Sequence, residues 1–409
     1  MNPISQACRM LGSCMKLKWG VFQTLLGFII TFWIWNIGSV QAKPYVPESD
    51  SAIVEHVPLS GDPRIRQIRD AQLELSQDPR NLELAVHLAR QLVELGRAEA
   101  DPRYDGYAQS ALQPWWNSST PPSDVLFLRA LLRQRSHHFD EALEDLTQVL
   151  HNRPRDAQAW LTSAVIHQVR GHYEEARKTC LPLLRLTNAL VSTTCITNVA
   201  SLNGQAQESY QSLLNIFSLT PSADPQQKLW TLTILAETAM RLGNTSAAEE
   251  HFQEALSLGI RDTYLLGAYS DWLLDQHRPA DVQTLLQNDF RPDGLLLRAA
   301  LSAQQLNNPQ LPHHVASLSS RFADSRLRRD TRHLREEARF TLHLLKHPKQ
   351  ALHLAQENWT VQREPWDARI LLEAALATGD HKAAQPVIQW INDVRLEDEQ
   401  IHRLMEQLT

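Results

Sequence analysis

The feature that most constrains this chain is a pair of small residues that recurs through its middle. The pairs are Ala130 and Ala142, Ala164 and Ala176, Thr197 and Ser209, and Ala236 and Ala248. The members of each pair are 12 residues apart, and successive pairs are separated by 34, 33 and 39 residues. The longest step contains a proline-rich insert at residues 222–225. A repeat of this length is typical of a solenoid built from helical units.

Each repeat is predicted to fold as two antiparallel helices joined by a short turn. In the unit that begins at Asp156, the residues Trp160, Ala164 and His167 recur at three- and four-residue steps, which is the spacing of one helix face. Gly171 ends this first helix, as glycine commonly does at a helix C-terminus. Small residues suit the point where two helices cross, because a larger side chain would overpack it at a cost of about 1 to 3 kcal/mol.

This pattern resembles the tetratricopeptide repeat family. The matching residues are the small first-helix alanines, the turn glycines, the second-helix alanines and the closing prolines: Ala130, Ala164 and Ala236; Gly171, Gly204 and Gly243; Ala142, Ala176 and Ala248; and Pro154 and Pro221. The sequence departs from the family pattern at His137, which takes a glycine position, and at Thr197 and Ser209, which take alanine positions. The resemblance implies an all-α fold, a right-handed superhelical solenoid of antiparallel helix hairpins.

The repeats divide the chain into predicted segments. Four units match well over residues 123–262, and the match weakens on either side, giving about nine units in all. Residues 64–122 are predicted to form N-terminal helices with a divergent repeat. Residues 263–409 are predicted to form divergent repeats and a C-terminal capping helix, because the ends of a stack need a solvated outer face. Residues 43–63, which are proline-rich and lack periodicity, are predicted to be a flexible tether.

The first 42 residues are predicted to be a signal peptide or a signal anchor. They hold three basic residues and no acidic ones, and residues 19–38 are uncharged and mostly apolar. The small residues that follow this apolar run and end at Ala42 favour cleavage after Ala42. The alternative is an uncleaved anchor, since twenty helical residues reach about 30 Å, enough to span a bilayer core. Both alternatives place the rest of the chain outside the cytoplasm, and the style of the leader indicates a bacterial periplasm.

The net charge argues against one class of function, and the cysteine content indicates a candidate disulfide. Beyond residue 42 the chain has 37 basic and 46 acidic residues, a formal charge of -9, which argues against nucleic-acid binding. Cys180 and Cys195 are the two cysteines of this part of the chain. In an oxidising compartment they are candidates for a disulfide, and the alternative is a pair of buried thiols.

A candidate binding groove follows from the family resemblance, which implies that first helices line the concave side. Helical geometry then directs inward a mixture of apolar and polar residues: Phe127, Arg135, Gln168, Asn198, Trp230, Glu237, Arg241, Tyr264 and Asp271. Such a mixture suits a protein or peptide segment. The lysine and asparagine clamp by which many family members bind a terminal carboxylate is absent, because the matching positions hold Leu131, Val165 and Asn198 without lysine neighbours.

Other chemistry has little support in the sequence. It contains no glycine-rich phosphate loop, no Gly-x-Ser-x-Gly elbow and no His-Glu-x-x-His motif, so we expect no catalytic residues and no cofactor. His343 and His347 are four residues apart, but no third metal ligand follows at a suitable spacing, and we expect no metal site. The arginines of residues 321–339 alternate with acids, which predicts a solvated helix with i,i+4 ion pairs. The alternative is a patch for acidic partners or lipid headgroups.

The sequence therefore predicts a non-catalytic adaptor whose groove binds another exported or membrane protein. One alternative is a membrane-anchored assembly subunit of an envelope or secretion complex, with residues 1–42 retained. Another is a periplasmic protein that binds a metal ion or a small molecule.

Overall fold

The computed structural model describes residues 62–287, 289–328, 330 and 332–408. The predicted leader, residues 1–42, and the predicted tether up to residue 61 lie outside the described residues. Within the described part of the chain every regular element is a helix. None of these helices is both long and apolar enough to cross a membrane.

The helices form nine successive hairpins over the described residues, with one helix before them, one after them and two short helices in the connections between them. In chain order the helices are α1 (Pro63–Gln77), α2 (Leu82–Glu99), α3 (Arg103–Ala111), α4 (Gln113–Trp116), α5 (Ser123–Arg135), α6 (Phe139–Asn152), α7 (Ala157–Val169), α8 (Tyr173–Cys180), α9 (Leu183–Leu186), α10 (Ala189–Ser201), α11 (Ala206–Ser218), α12 (Pro225–Arg241), α13 (Thr245–Ser257), α14 (Thr263–Asp275), α15 (Pro279–Leu286), α16 (Asp293–Gln305), α17 (Leu311–Leu327), α18 (Leu334–His343), α19 (Pro348–Val361), α20 (Pro365–Thr378), α21 (His381–Val394) and α22 (Glu399–Leu408). The hairpins are α2/α3, α5/α6, α7/α8, α10/α11, α12/α13, α14/α15, α16/α17, α18/α19 and α20/α21. The predicted all-α solenoid is confirmed.

The turn inside each hairpin contains a residue with left-handed backbone geometry. These residues are Ala100, His137, Gly171, Gly204, Gly243, His277, Asn307, Lys346 and Gly379, with φ between 50° and 73°. Glycine adopts this geometry without steric cost, but five of the nine turns use another residue. His137, at φ 60°, takes the conformation of the glycine that it replaces in the repeat.

Local sequence also fixes where many helices begin. The side chains of asparagine and aspartate accept hydrogen bonds from first-turn amides that have no partner within the helix, which stabilises the helix start. Such caps occur at Asn81, Asp156, Asn188, Asp224, Asn244, Asp262 and Asp380. The small residues of the repeat lie in the core between the paired helices, where all eight are buried.

The C-terminal part of the chain packs against the turns of three central hairpins. A Cβ atom placed on Gly171 would lie 3.2 Å from the Cβ atom of Arg363, and one placed on Gly204 would lie 3.0 Å from the Cβ atom of Arg395. At the next turn, Gly243 lies against the carboxylate of Glu399. A side chain at these turns would therefore collide with the C-terminal segment, so the glycines provide space as well as backbone freedom.

Hydrogen bonds and a second contact region also join parts of the array that are distant in sequence. The amide of Arg363 donates to the carbonyl of Val169 over 2.7 Å, and the amide of Ala206 donates to the carboxylate of Glu397. On the other side of the array, Glu99 at the end of α2 pairs with Arg291 over 2.6 Å. The solenoid therefore closes on itself instead of remaining an open arc.

A disulfide joins α8 to α10 in neighbouring hairpins. Cys180 and Cys195 are bonded in the structure and both are buried. The bridge closes a loop of 15 residues, which in the chain-entropy estimate stabilises the fold by about 3 kcal/mol.

The small-residue positions can be tested at Ala164, which lies in a core cluster with Tyr173, Ala176 and Val199. We expect Ala164→Trp to lower the free energy of unfolding by about 3 kcal/mol, because the indole forces the crossing helices apart. Urea unfolding measures the change. The control is Gln211→Trp at an exposed position of α11, which should stay within about 0.5 kcal/mol of the wild type. Equal stability of the two variants would contradict the packing.

Candidate functional site

The nine predicted groove residues lie on the first helices of five successive hairpins. Phe127 and Arg135 are on α5, Gln168 is on α7 and Asn198 is on α10. The rest are on the next two first helices: Trp230, Glu237 and Arg241 on α12, and Tyr264 and Asp271 on α14.

Hydrogen bonds made by these side chains link the first helices α7, α10, α12 and α14 in sequence. The amide of Asn198 donates to Gln168 over 3.0 Å, and Tyr264 donates to Glu237 over 2.8 Å. The guanidinium of Arg241 donates to the hydroxyl of Ser201 on the preceding first helix over 2.8 Å. These bonds connect predicted residues of α7, α10, α12 and α14, and seven of the nine predicted residues make a side-chain hydrogen bond or ion pair within the described chain. We refer to the nine predicted residues as the row.

Asp271 is the most enclosed member of this row, with 1% of its surface exposed. Its carboxylate lies between Arg298 of α16 and Arg339 of α18, and the Arg339 bond measures 2.6 Å. Burial by itself raises the pKa of Asp271, but the charges of the two arginines outweigh it and leave the pKa below its usual range. The row is thus covered at this point by a helix from a hairpin two places further along the chain.

A second ion-pair group joins α14 to α20. Arg369 donates to both carboxylate oxygens of Asp275 at 2.7 Å and to Glu373 at 2.8 Å. Glu373 also meets Nε2 of His343 at 2.8 Å. Burial alone raises the pKa of Glu373, but the hydrogen bond with His343 and the charge of Arg369 lower it to about 2. The ring of Trp366 lies against the guanidinium of Arg369, 4.3 Å from its centre.

The arginines of residues 321–339 do not form the predicted i,i+4 pairs, and that prediction is wrong for the described residues. Arg321 pairs with Asp293, Arg335 with Glu364 and Arg339 with Asp271, across 28 to 68 residues. Arg335 and Arg339 lie on the largely buried helix α18 and meet carboxylates of other hairpins, whereas Arg321 lies on α17 and meets Asp293 of its own hairpin. Arg335 and Arg339 therefore connect repeats, while Arg326 and Arg328 are exposed.

One part of the row remains accessible, and we name it the inner recess: Glu237, Tyr264, Arg335 and Glu364. Tyr264 is 57% exposed, whereas Glu237, Arg335 and Glu364 are half-buried. Burial and the nearby charge of Glu237 raise the pKa of Tyr264 well above its usual value, and burial also raises the pKa of Glu237. Tyr264 is therefore an exposed ring beside half-buried charged side chains.

The inner recess includes two residues that the repeat register did not identify. Arg335 and Glu364 come from α18 and from the residue before α20, and they bond to each other over 2.9 Å. Only the closure of the array brings them to α12 and α14. Of the remaining predicted residues, Phe127 and Arg241 are buried, Gln168, Asn198 and Trp230 are half-buried, and Arg135 bonds to Asp105.

His343 and His347, the histidine pair weighed as a metal site, have different surroundings in the structure. His343 bonds to Glu373, whereas His347 precedes α19 as its cap residue. In the part of the chain that the structure describes, no group of three or more His, Cys, Asp or Glu residues is placed to hold a metal ion.

The ion pairs that join α14 to later hairpins can be tested at Asp271. We expect Asp271→Asn to lower the free energy of unfolding by about 3 kcal/mol, because it leaves Arg298 and Arg339 buried without a countercharge. Arg339→Met should cost only about 1 kcal/mol, since Arg298 still neutralises Asp271. Urea unfolding at neutral pH compares the two variants. A smaller loss for Asp271→Asn than for Arg339→Met would contradict the shared ion pair.

Comparison with known proteins matched this chain to one family model and to solved structures. Residues 127–188 match the family model for the tetratricopeptide repeat. A tetratricopeptide repeat protein from Parabacteroides merdae is 12% identical with a TM-score of 0.36, over 71% of this chain and 98% of that chain. The TPR domain of P58(IPK) is 15% identical with a TM-score of 0.23, over 80% of this chain and 96% of that chain. No curated protein matches this sequence. The family match supports the tetratricopeptide repeat family for the repeats of this chain.

Proposed function

We propose that this chain is a non-catalytic scaffold that binds a segment of another protein in the inner recess. Tetratricopeptide repeats generally mediate protein–protein interaction. The observation that carries the proposal is the exposure of Tyr264 beside the half-buried Glu237, Arg335 and Glu364. An accessible tyrosine among charged groups offers a rigid apolar surface together with hydrogen-bond donors and acceptors, which is the composition of many energetically important interface residues.

The proposed partner is another exported or membrane protein. Two features support an exported scaffold: the charge pattern of residues 1–42, which is typical of a secretory leader, and the Cys180–Cys195 disulfide, a bond that persists in oxidising compartments. If residues 1–42 are retained, the same surface serves a membrane-anchored assembly subunit. The first peptide of the mature protein separates these forms, since a start at Lys43 means release.

A crosslinked pull-down from the native envelope, with mass spectrometry of the captured proteins, tests the scaffold. We expect one stoichiometric exported or membrane protein. The double variant Tyr264→Ala with Glu237→Ala should weaken its capture about thirtyfold, as removal of a central aromatic contact commonly costs about 2 kcal/mol.

The matched control is Leu219→Ala with Glu208→Ala, which removes one large apolar and one acidic side chain, both exposed and outside the recess. Thermal melting of both double variants shows that they are folded. Equal capture by both would place the partner elsewhere on the molecule, and no partner above background would contradict the scaffold role.

A further inference from the structure

A polar cleft lies apart from the inner recess, between the first two hairpins and the loop that precedes α18. Its volume is about 430 Å³, within the range of roughly 300 to 1,000 Å³ common for small-molecule sites. Its walls come from α3, α4, the α5/α6 turn and the loop before α18: Pro102, Asp105, Gly106, Gln109, Trp116, Leu132, Arg133, Ser136, His138, Glu141 and Arg332.

The positive side of the cleft carries a guanidinium that the wall does not fully neutralise. Arg129 and Arg133 share the single buried carboxylate of Asp145, each at 2.7 Å. Arg129 is the enclosed member, with 9% of its side chain exposed, whereas 26% of Arg133 is exposed. Among the described residues, only Nη1 of Arg133 makes hydrogen bonds, to Asp145 and to the carbonyl of Glu141. Its Nε and Nη2 groups therefore remain available as donors.

A second arginine reaches the cleft from the distant loop. Arg332 binds Asp330 through Nε and Nη2, and its Nη1 atom lies 3.7 Å from the carboxylate of Asp105. Asp105 is also bound by Arg135 at 2.8 Å. Across this wall, the four arginines Arg129, Arg133, Arg135 and Arg332 face three aspartates, so one positive charge is left over.

The acidic side of the cleft is Glu141, near the start of α6. Its side chain is exposed, and its carboxylate forms neither an ion pair nor a hydrogen bond with any other described residue. The cleft wall therefore includes a guanidinium that shares its countercharge with Arg129, a carboxylate without a partner among the described residues, and the apolar surfaces of Trp116 and Leu132. The ligand that complements this arrangement carries both charges itself and an apolar group.

We propose that this cleft binds a small zwitterion, a free amino acid or a short peptide with both an α-ammonium and an α-carboxylate group. The carboxylate meets the free Nε and Nη2 donors of Arg133, because a guanidinium binds carboxylates through charge-assisted hydrogen bonds. The ammonium meets Glu141. The apolar side chain of the ligand packs against Trp116 and Leu132. This site is independent of the scaffold role, since it shares no residue with the inner recess.

Isothermal titration calorimetry on the full chain tests the site with L-leucine and with L-alanyl-L-leucine. We expect binding of at least one of them, and weakening by about tenfold or more when either charge is capped, as in N-acetyl-leucine or leucinamide. Tighter binding of leucine assigns the site to free amino acids, and tighter binding of the dipeptide assigns it to peptides. Absence of binding by both at millimolar concentrations would overturn the proposal, as would equal binding of a capped analogue.

Two variants assign the charges to residues. Arg133→Gln keeps the Arg129–Asp145 pair, and Glu141→Gln changes an exposed side chain, so thermal melting should show both folded. Each should weaken zwitterion binding about tenfold, whereas the control Arg177→Gln, which removes a surface arginine of α8 outside the cleft, should not. Wild-type affinity in both cleft variants would show that the ligand binds elsewhere and would overturn the assignment.

Discussion

The left-handed backbone conformation of one residue in each hairpin turn is the constraint on which the rest of the structure depends. It ends the first helix and reverses the chain, so that the second helix packs closely at the small residues of the repeat. At Gly171, Gly204 and Gly243 it has a second consequence, because the absence of a side chain leaves room for the C-terminal segment. One local feature thus sets both the pairing of helices within a hairpin and the closure of the whole array.

Closure changes the chemistry of the concave side. An open array of repeats exposes its first helices, but here Asp271 and Asp275 are neutralised by Arg339 and Arg369 from hairpins near the C-terminus. Breaking a buried ion pair is costly because it leaves an unpaired charge, so these contacts favour one arrangement of the repeats over others. Of the nine predicted row residues, Tyr264 is the one that remains exposed.

The sequence was sufficient to predict the hairpins but not their closure. Glycine marks the turns at Gly171, Gly204 and Gly243, and the same signal is missing at Ala100 and Lys346, where the turn conformation is kept by residues that carry a side chain. A repeat motif encodes contacts between neighbouring units only. The pairs Asp271–Arg339 and Asp275–Arg369 span 68 and 94 residues, and no periodic pattern links their members. For the same reason Arg335 and Glu364 of the inner recess could not be predicted.

Amide hydrogen exchange at Ala206 tests closure most directly. Ala206 is the first residue of α11, a position whose amide has no partner within the helix, and in the structure it donates to the carboxylate of Glu397. The closed array predicts slow exchange at Ala206 in the wild type and fast exchange in Glu397→Ala. Fast exchange in the wild type, at the rate of an unprotected amide, would contradict the closed array.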